Sequence, residues 1–213
     1  MSLTLSIASL RQHNACDLDE RVADLRRVLP DVGEDDPVPL RTWWDLPTTG
    51  RHDRVWSLRA VSDPMAGRVL GVRFACLAVR RVLYLTHEGA RPACLAAIEA
   101  AELWALGPSV RAAVRARRAG DAASVAYGHA SRAVNGARTV DAIDFTIVYR
   151  AARATYAAYA VARAAGAHVS DAVYASGAVC AVAANIIYAS SDAYDDEHEA
   201  QRADLDRLLS EVP

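Results

Sequence analysis

The sequence predicts an all-α fold, a compact bundle or irregular array of roughly eight to ten antiparallel helices. Three observations lead there. Alanine supplies 45 of the 213 residues while Phe is confined to Phe74 and Phe145, so the apolar content is largely small side chains from the top of the helix-propensity scale. Proline and glycine fall between segments of helical period rather than inside alternating runs. The stretch with the most β-character, Ile143 to Tyr149, continues without a breaker into the alanines from Ala151, so no strand is expected.

The elements follow in order. Asp17 and Glu20 have capping-box spacing, and Leu18, Val22, Leu25, Val28 and Leu29 recur helically until Pro30 stops them. Residues 30–50 read as irregular, because Pro37, Pro39, Pro47 and Gly50 interrupt them and Gly33 to Asp36 form a turn-prone acidic cluster. A short helix is expected from Asp53 to Val61, and Ser62-Asp63-Pro64 opens a longer one reaching about His87, closed by Gly89. Arg91-Pro92 starts a helix that runs to Gly107, and Pro108 begins another expected to end near Gly120. Asp121, Asp141, Ser170 and Asp192 are N-cap candidates for four further helices, the last ending near Leu209. Echoes around Tyr127, Tyr159 and Tyr174 share no fixed period, and recurrent alanine alone produces them. The chain is therefore expected to be one domain, 1–213, with a less regular segment over 1–53 and an alanine-rich helical core over 54–210.

The formal charge of −2 argues against a dedicated nucleic-acid binder, which carries a basic excess. All 24 basic residues are arginine, a bias expected first from a GC-rich genome. Cys16, Cys76, Cys94 and Cys180 form no CxxC pair, so they are expected as small core residues in a reducing cytoplasm. No basic leader precedes an apolar stretch near Met1, and charged or polar residues interrupt the alanine-rich segments; neither a signal peptide nor a membrane span is expected.

Catalytic and metal-binding patterns are sparse. A carboxylate-bridged di-metal bundle needs two Glu-x-x-His pairs, whereas only Asp195 and His198 approach that spacing, inside an acidic segment whose charges suit a helix start. Nucleophile elbows, phosphate-binding loops and dinucleotide fingerprints are lacking. His87 and Glu88 are neighbours, but adjacent helical residues point about 100° apart. No enzyme activity, cofactor or metal is expected.

Two sets of residues carry binding potential. Arg73, Arg80, Arg81, Tyr84, His87 and Glu88 form a polar stripe, in which Arg73, Arg80 and His87 recur every seven residues on an otherwise apolar helix. An internal ion-pair lattice with Glu99 and Glu102 of the next helix is the expected use, with Arg91 and Glu99 tied to Arg80 or Arg81; a partner-facing or ligand-facing patch is the alternative. Trp56 and Trp104 are expected in the core. Trp43 and Trp44 cannot both turn inward easily from an irregular loop, so one is expected at the surface. With Asp45 and the acidic turn Glu34, Asp35 and Asp36, this pair is the candidate partner-binding site.

The run Arg80-Arg81-Val82-Leu83-Tyr84, then Arg91-Pro92, then Ala97-Ile98-Glu99-Ala100-Ala101 with Trp104 and Gly107, resembles the all-helical immunity proteins of bacterial polymorphic-toxin loci known as immunity protein family five. The likeness spans residues 54 to 210 and leaves 1–53 outside. Glu199-Ala200-Gln201 followed by Leu205, Leu208 and Leu209 is similar to that family's closing helix, with Ala200 where an aromatic is usual. The turn from Thr86 to Ala90 is shorter than in relatives. The resemblance implies a cytoplasmic antidote that binds a cognate toxin protein without catalysis or cofactor. Two alternatives stand beside it: an anion-binding or enzymatic domain with Arg73, Arg80, Tyr84 and Arg91 facing a cleft, and a structural protein that self-assembles through exposed alanine faces. The sequence leaves the oligomeric state open.

Overall fold

A computed structural model describes residues 3–13, 18–49, 51–137, 156–165 and 191–211. Of these, 76% are α-helical, so the all-α expectation holds. The elements are α1 (Ile7–Gln12), α2 (Leu18–Val28), α3 (Leu40–Trp44), α4 (Arg51–Ser57), α5 (Pro64–Val82), a 3₁₀ turn (Leu83–Leu85), α6 (Arg91–Leu106), α7 (Val110–Ala137), a helical stretch α8 over 156–165, and α9 (Ser191–Ser210).

Local chemistry accounts for the boundaries. Ser6 and Ser9 exchange side-chain and backbone bonds in a capping box that starts α1. Asp63 accepts from the amides of Met65 and Ala66 at 2.9 and 3.1 Å, with Pro64 in the first turn of α5. Arg91-Pro92 opens α6, and the Gly107 amide closes it on the carbonyls of Leu103 and Trp104. Gln201, Leu205 and Leu208 of α9 are buried, and α9 packs against α5 and α4 while α6 lies between α5 and α7.

Besides the short helix α3 inside the segment 30–50 that was expected to be irregular, two features differ from expectation. The first is a small antiparallel ladder: β1 (Thr4–Leu5) pairs with β2 (Val38–Pro39), and Leu5 bridges to Val61. The Ser62 amide donates to the Thr4 carbonyl at 2.8 Å and the Leu40 amide to the Leu3 carbonyl at 2.9 Å. Three extended pieces too short to show a period of two thus hold the amino-terminal segment against the start of α5. The second is Gly120, expected as a helix stop. α7 runs through it to Ala137, and Asp121 is an exposed residue within that helix, not a cap. Gly120 is buried, and a Cβ there would stand 3.1 Å from the Cβ of Ala162. It serves the close approach of α8. Asp141, Ser170 and the segment 143–149 lie outside the described residues.

The core changes character along the chain. Its amino-terminal part is filled by Trp43, Trp44, Leu10, Leu25 and Leu58, and its centre by Phe74, Val79, Ile98 and Trp104. Where α6, α7 and α8 meet, the buried residues are Ala97, Ala123 and Ala162. These alanine faces are covered within the molecule. Cys76 and Cys94 are free and buried, as expected; burial pushes the Cys76 thiol far above its usual range. Among the described residues no helix is long and apolar enough to cross a membrane.

Candidate functional site

The proposed loop site is reorganised by the structure. Trp43 and Trp44 are both 1% exposed, so neither ring is available as a surface anchor, and the expectation of an exposed tryptophan is overturned. The reason is that Leu40–Trp44 forms a helical turn embedded on more than one side. The Trp44 indole donates to the Ser57 hydroxyl at 2.8 Å, Ser57 donates to the Arg54 carbonyl at 2.8 Å, and Arg54 donates back to the Trp44 carbonyl at 2.8 Å. Adjacent large rings can both be buried where a short helix is surrounded, although among the described residues only the Trp44 indole finds a hydrogen-bond partner and the Trp43 N–H has none. Burial and the nearby Arg202 push the Arg54 guanidinium below its ordinary pKa.

Of the carboxylates beside them, Glu34, Asp36 and Asp45 are exposed but already engaged. Glu34 binds Arg11 at 3.1 Å and Arg26 at 3.4 Å, and its carbonyl accepts from the Ala8 amide at 2.8 Å. Asp36 accepts from the Gly33 amide at 2.7 Å, and Asp45 pairs with Arg41 at 2.9 Å. Asp35 is exposed. The acidic turn is a clasp between α1 and α2. Trp56 is only half-buried, with its ring edge-on to His13, while Trp104 is buried as expected.

The polar stripe of α5 is structural, with partners that differ in detail from those expected. Arg80 grips Glu102 through two bonds of 2.6 Å; that bond, ahead of any other influence, raises its pKa. Arg73 pairs with Glu211 and Arg81 with Asp204, which joins α5 to α9. Arg91 does not meet Glu99. Its guanidinium donates to the carbonyls of Tyr84 and Thr86, both at 3.2 Å, closing the turn before α6. Glu99 is exposed, Tyr84 is exposed, and exposed His87 accepts only a local bond from the Gly89 amide. These residues therefore do not converge on one cleft.

The surface that the sequence did not single out is the corner between α6 and α7. Leu106 is 80% and Val110 83% exposed, and Leu103, Val114 and Met65 are exposed beside them. Contiguous large aliphatics in water mark interaction surfaces more often than isolated ones do. Residues 110–120 also hold Arg111, Arg115, Arg117 and Arg118 and no acid. Arg111, Arg115 and Arg118 fall at i, i+4 and i+7, on one exposed face of α7. None of those three makes an ion pair among the described residues.

A groove of about 510 Å³ opens at this corner, lined by Met65, Arg68, Trp104, Ser109, Val110 and Val114. The Arg68 guanidinium lies 4.4 Å from the centre of the Trp104 ring and donates to the Ala165 carbonyl at 2.5 Å. Among the described residues its Nε is buried without a hydrogen-bond partner, and no carboxylate offsets the burial that lowers its pKa. Ser109 caps α7 by accepting from the Ala112 amide at 3.2 Å, which puts the positive end of a long helix at the same groove. A signal for this surface did exist in the sequence, as four arginines within eight residues following two leucines. The heptad of Arg73, Arg80 and His87 was the more regular pattern, and Leu103 was absorbed into the apolar period of α6.

No cluster of His, Cys, Asp and Glu able to hold a metal occurs among the described residues; the side chains of Asp195 and His198 lie outside them. Comparison with known protein families, with curated proteins and with solved structures finds no match to this chain.

Proposed function

We propose that the chain is a non-catalytic binding protein that neutralises a bacterial toxin domain by docking it on the α6–α7 corner. The observation that carries the reading is the coincidence, on one face, of exposed Leu106, Val110 and Val114 with Arg111, Arg115 and Arg118, which have no ion-pair partner among the described residues. Aliphatics beside unpaired arginines suit a protein partner whose own surface mixes acidic and apolar groups, because burial supplies affinity and complementary charge speeds and orients encounter. A nucleic acid would use the arginines but not the aliphatics, and the large exposed hydrophobics at the corner include no aromatic platform on which bases stack. The resemblance to immunity proteins supplies the toxin as the partner.

The test is co-expression with the toxin domain encoded beside its gene, followed by titration of the purified pair. The wild-type chain is expected to restore growth and to bind. Combined Val110→Glu and Arg115→Glu, both at exposed positions of α7, should weaken binding by at least about 2 kcal/mol, roughly thirtyfold, with an unchanged melting temperature. Normal binding by that variant moves the docking surface elsewhere; failure of the wild-type chain to bind or protect removes the antidote reading.

A further inference from the structure

We infer that the groove beside Arg68 is an anchor pocket for a partner's acidic side chain, a Glu or Asp flanked by aliphatic residues. The inference rests on the protein-binding reading of the α6–α7 corner and names what that corner grips. Four observations converge on it.

Arg68 is a partly buried cation with no carboxylate partner among the described residues. Desolvating a guanidinium is unfavourable unless an anion or a full set of acceptors receives it, and among the described residues only the Ala165 carbonyl does so. The protein leaves the charge half-satisfied in an open groove. An incoming carboxylate completes it.

Stacking on Trp104 fixes the plane of the guanidinium. A pre-set fork loses little freedom when it binds a planar carboxylate, and the interaction is strengthened by the ring that excludes water from one face. Trp104 is itself held in the core, so the orientation is not left to a mobile side chain.

Among the described residues, the two charged side chains that line the groove, Arg68 and Arg117, are both basic. The amino-terminal turn of α7 contributes Ser109 and Val110. The dipole of that helix favours negative charge at this end.

The walls choose the source of the anion. Met65, Val110 and Val114 are aliphatic and exposed, and a free inorganic anion gains nothing from covering them. A glutamate between leucines satisfies the arginine and buries those walls at once. The volume of about 510 Å³ exceeds one side chain and accommodates its neighbours.

The experiment uses the full chain and four probes: a fluorescein-labelled peptide with glutamate between leucines, its glutamine counterpart, inorganic phosphate, and a short oligothymidylate. Anisotropy reads affinity, and ¹H–¹⁵N spectra read the Trp104 indole and the Arg68 Nε–H. The glutamate peptide is expected to shift both resonances and to bind at least tenfold more tightly than the glutamine peptide, with the same loss in Arg68→Gln. Because Arg68 also holds the Ala165 carbonyl, a second variant is needed. Val114→Glu places a carboxylate in the groove from an exposed position, and it should abolish peptide binding at an unchanged melting temperature. Equal binding of the two peptides, normal peptide binding by Val114→Glu, competition by phosphate at the peptide's own concentration, or tighter binding of the oligothymidylate would each overturn the inference. The two proposals fail separately. A chain that protects against the toxin but shows no glutamate preference loses the anchor pocket alone; one whose peptide binding depends on Arg68 but which protects against no toxin loses the antidote reading alone.

Discussion

Around Trp44 the chain packs with its largest side chains; around Ala123 it packs with its smallest. In the first region short elements, α1 to α4, leave irregular gaps, and Trp43, Trp44, Leu10 and Leu58 fill them. The fit is completed by the closed circuit of bonds among Trp44, Ser57 and Arg54. In the second region α6, α7 and α8 are regular helices, and Ala97, Ala123, Ala162 and Gly120 let them approach closely. Nothing large fits between them, so Leu103, Leu106 and Val110 are left on the outside. Irregular backbone thus became interior, and regular helix became the candidate binding face. Loop character is a guide to function only where the loop's side chains are free to leave the core.

The largest expected effect breaks the first region. Trp44→Ala removes a fully buried ring and strands the circuit it closes, and should cost about 3 to 5 kcal/mol, read as a lower denaturant midpoint at unchanged slope. Trp44→Phe retains an aromatic ring but loses the bond to Ser57, at a smaller cost of about 1 to 2 kcal/mol. A Trp44→Ala chain as stable as its parent would return that ring to the surface and restore the loop as a binding site.

How far the residues alone revealed this arrangement follows the same division. Local signals were legible: Asp63-Pro64 and Arg91-Pro92 open helices, and Gly107 closes one. Such boundaries are set by groups within a few residues of each other. Gly120 was misleading because a glycine that caps a helix and one that admits a neighbour look the same until Ala162 is placed beside it. The Arg80 stripe was recognised as an ion-pair surface with Glu102 among its expected partners, and Glu102 takes the bidentate pair; the further tie of Arg91 to Glu99 was misplaced, since which acid of α6 is within reach depends on the rotation of α6 against α5. The groove at Arg68 was invisible for a related reason. Its members come from α5, α6 and α7, and no spacing within one helix encodes where three helices meet.

A paired glycine substitution sharpens the comparison. At Gly67 a Cβ would lie 2.3 Å from the Leu58 carbonyl oxygen, an atom of the backbone that cannot step aside without moving the turn before α5. Gly67→Ala should cost about 1 to 3 kcal/mol or more, despite a gain of about 1 kcal/mol in helix propensity. At Gly120 the neighbour is the methyl of Ala162 at 3.1 Å, on a separate helix that can yield by a few tenths of an ångström. There the propensity gain offsets most of the crowding, and Gly120→Ala should stay within about 1 kcal/mol of the parent. Equal tolerance at both sites would mean that the Leu58 turn gives way as readily as the alanine seam.

The smallest effects concern the charged edge between α5 and α6, where two glutamates one turn apart on α6 have different partners. Glu102 holds Arg80 in a bidentate pair, but the two side chains remain 40% and 32% exposed, so solvent screens much of the attraction. Glu102→Ala should cost about 0.5 to 1 kcal/mol, and a double-mutant cycle with Arg80→Ala should return a coupling that shrinks as salt is raised. Glu99 is exposed and leaves Arg91 to the carbonyls of Tyr84 and Thr86. Glu99→Ala should therefore fall within about 0.5 kcal/mol of the parent. Chemical denaturation of the two variants side by side decides the matter. If Glu99→Ala is the more damaging, the buried network of Arg91, Glu99 and Arg80 exists after all, and the edge of α6 belongs to the interior with the tryptophans instead of to the surface with the arginines of α7.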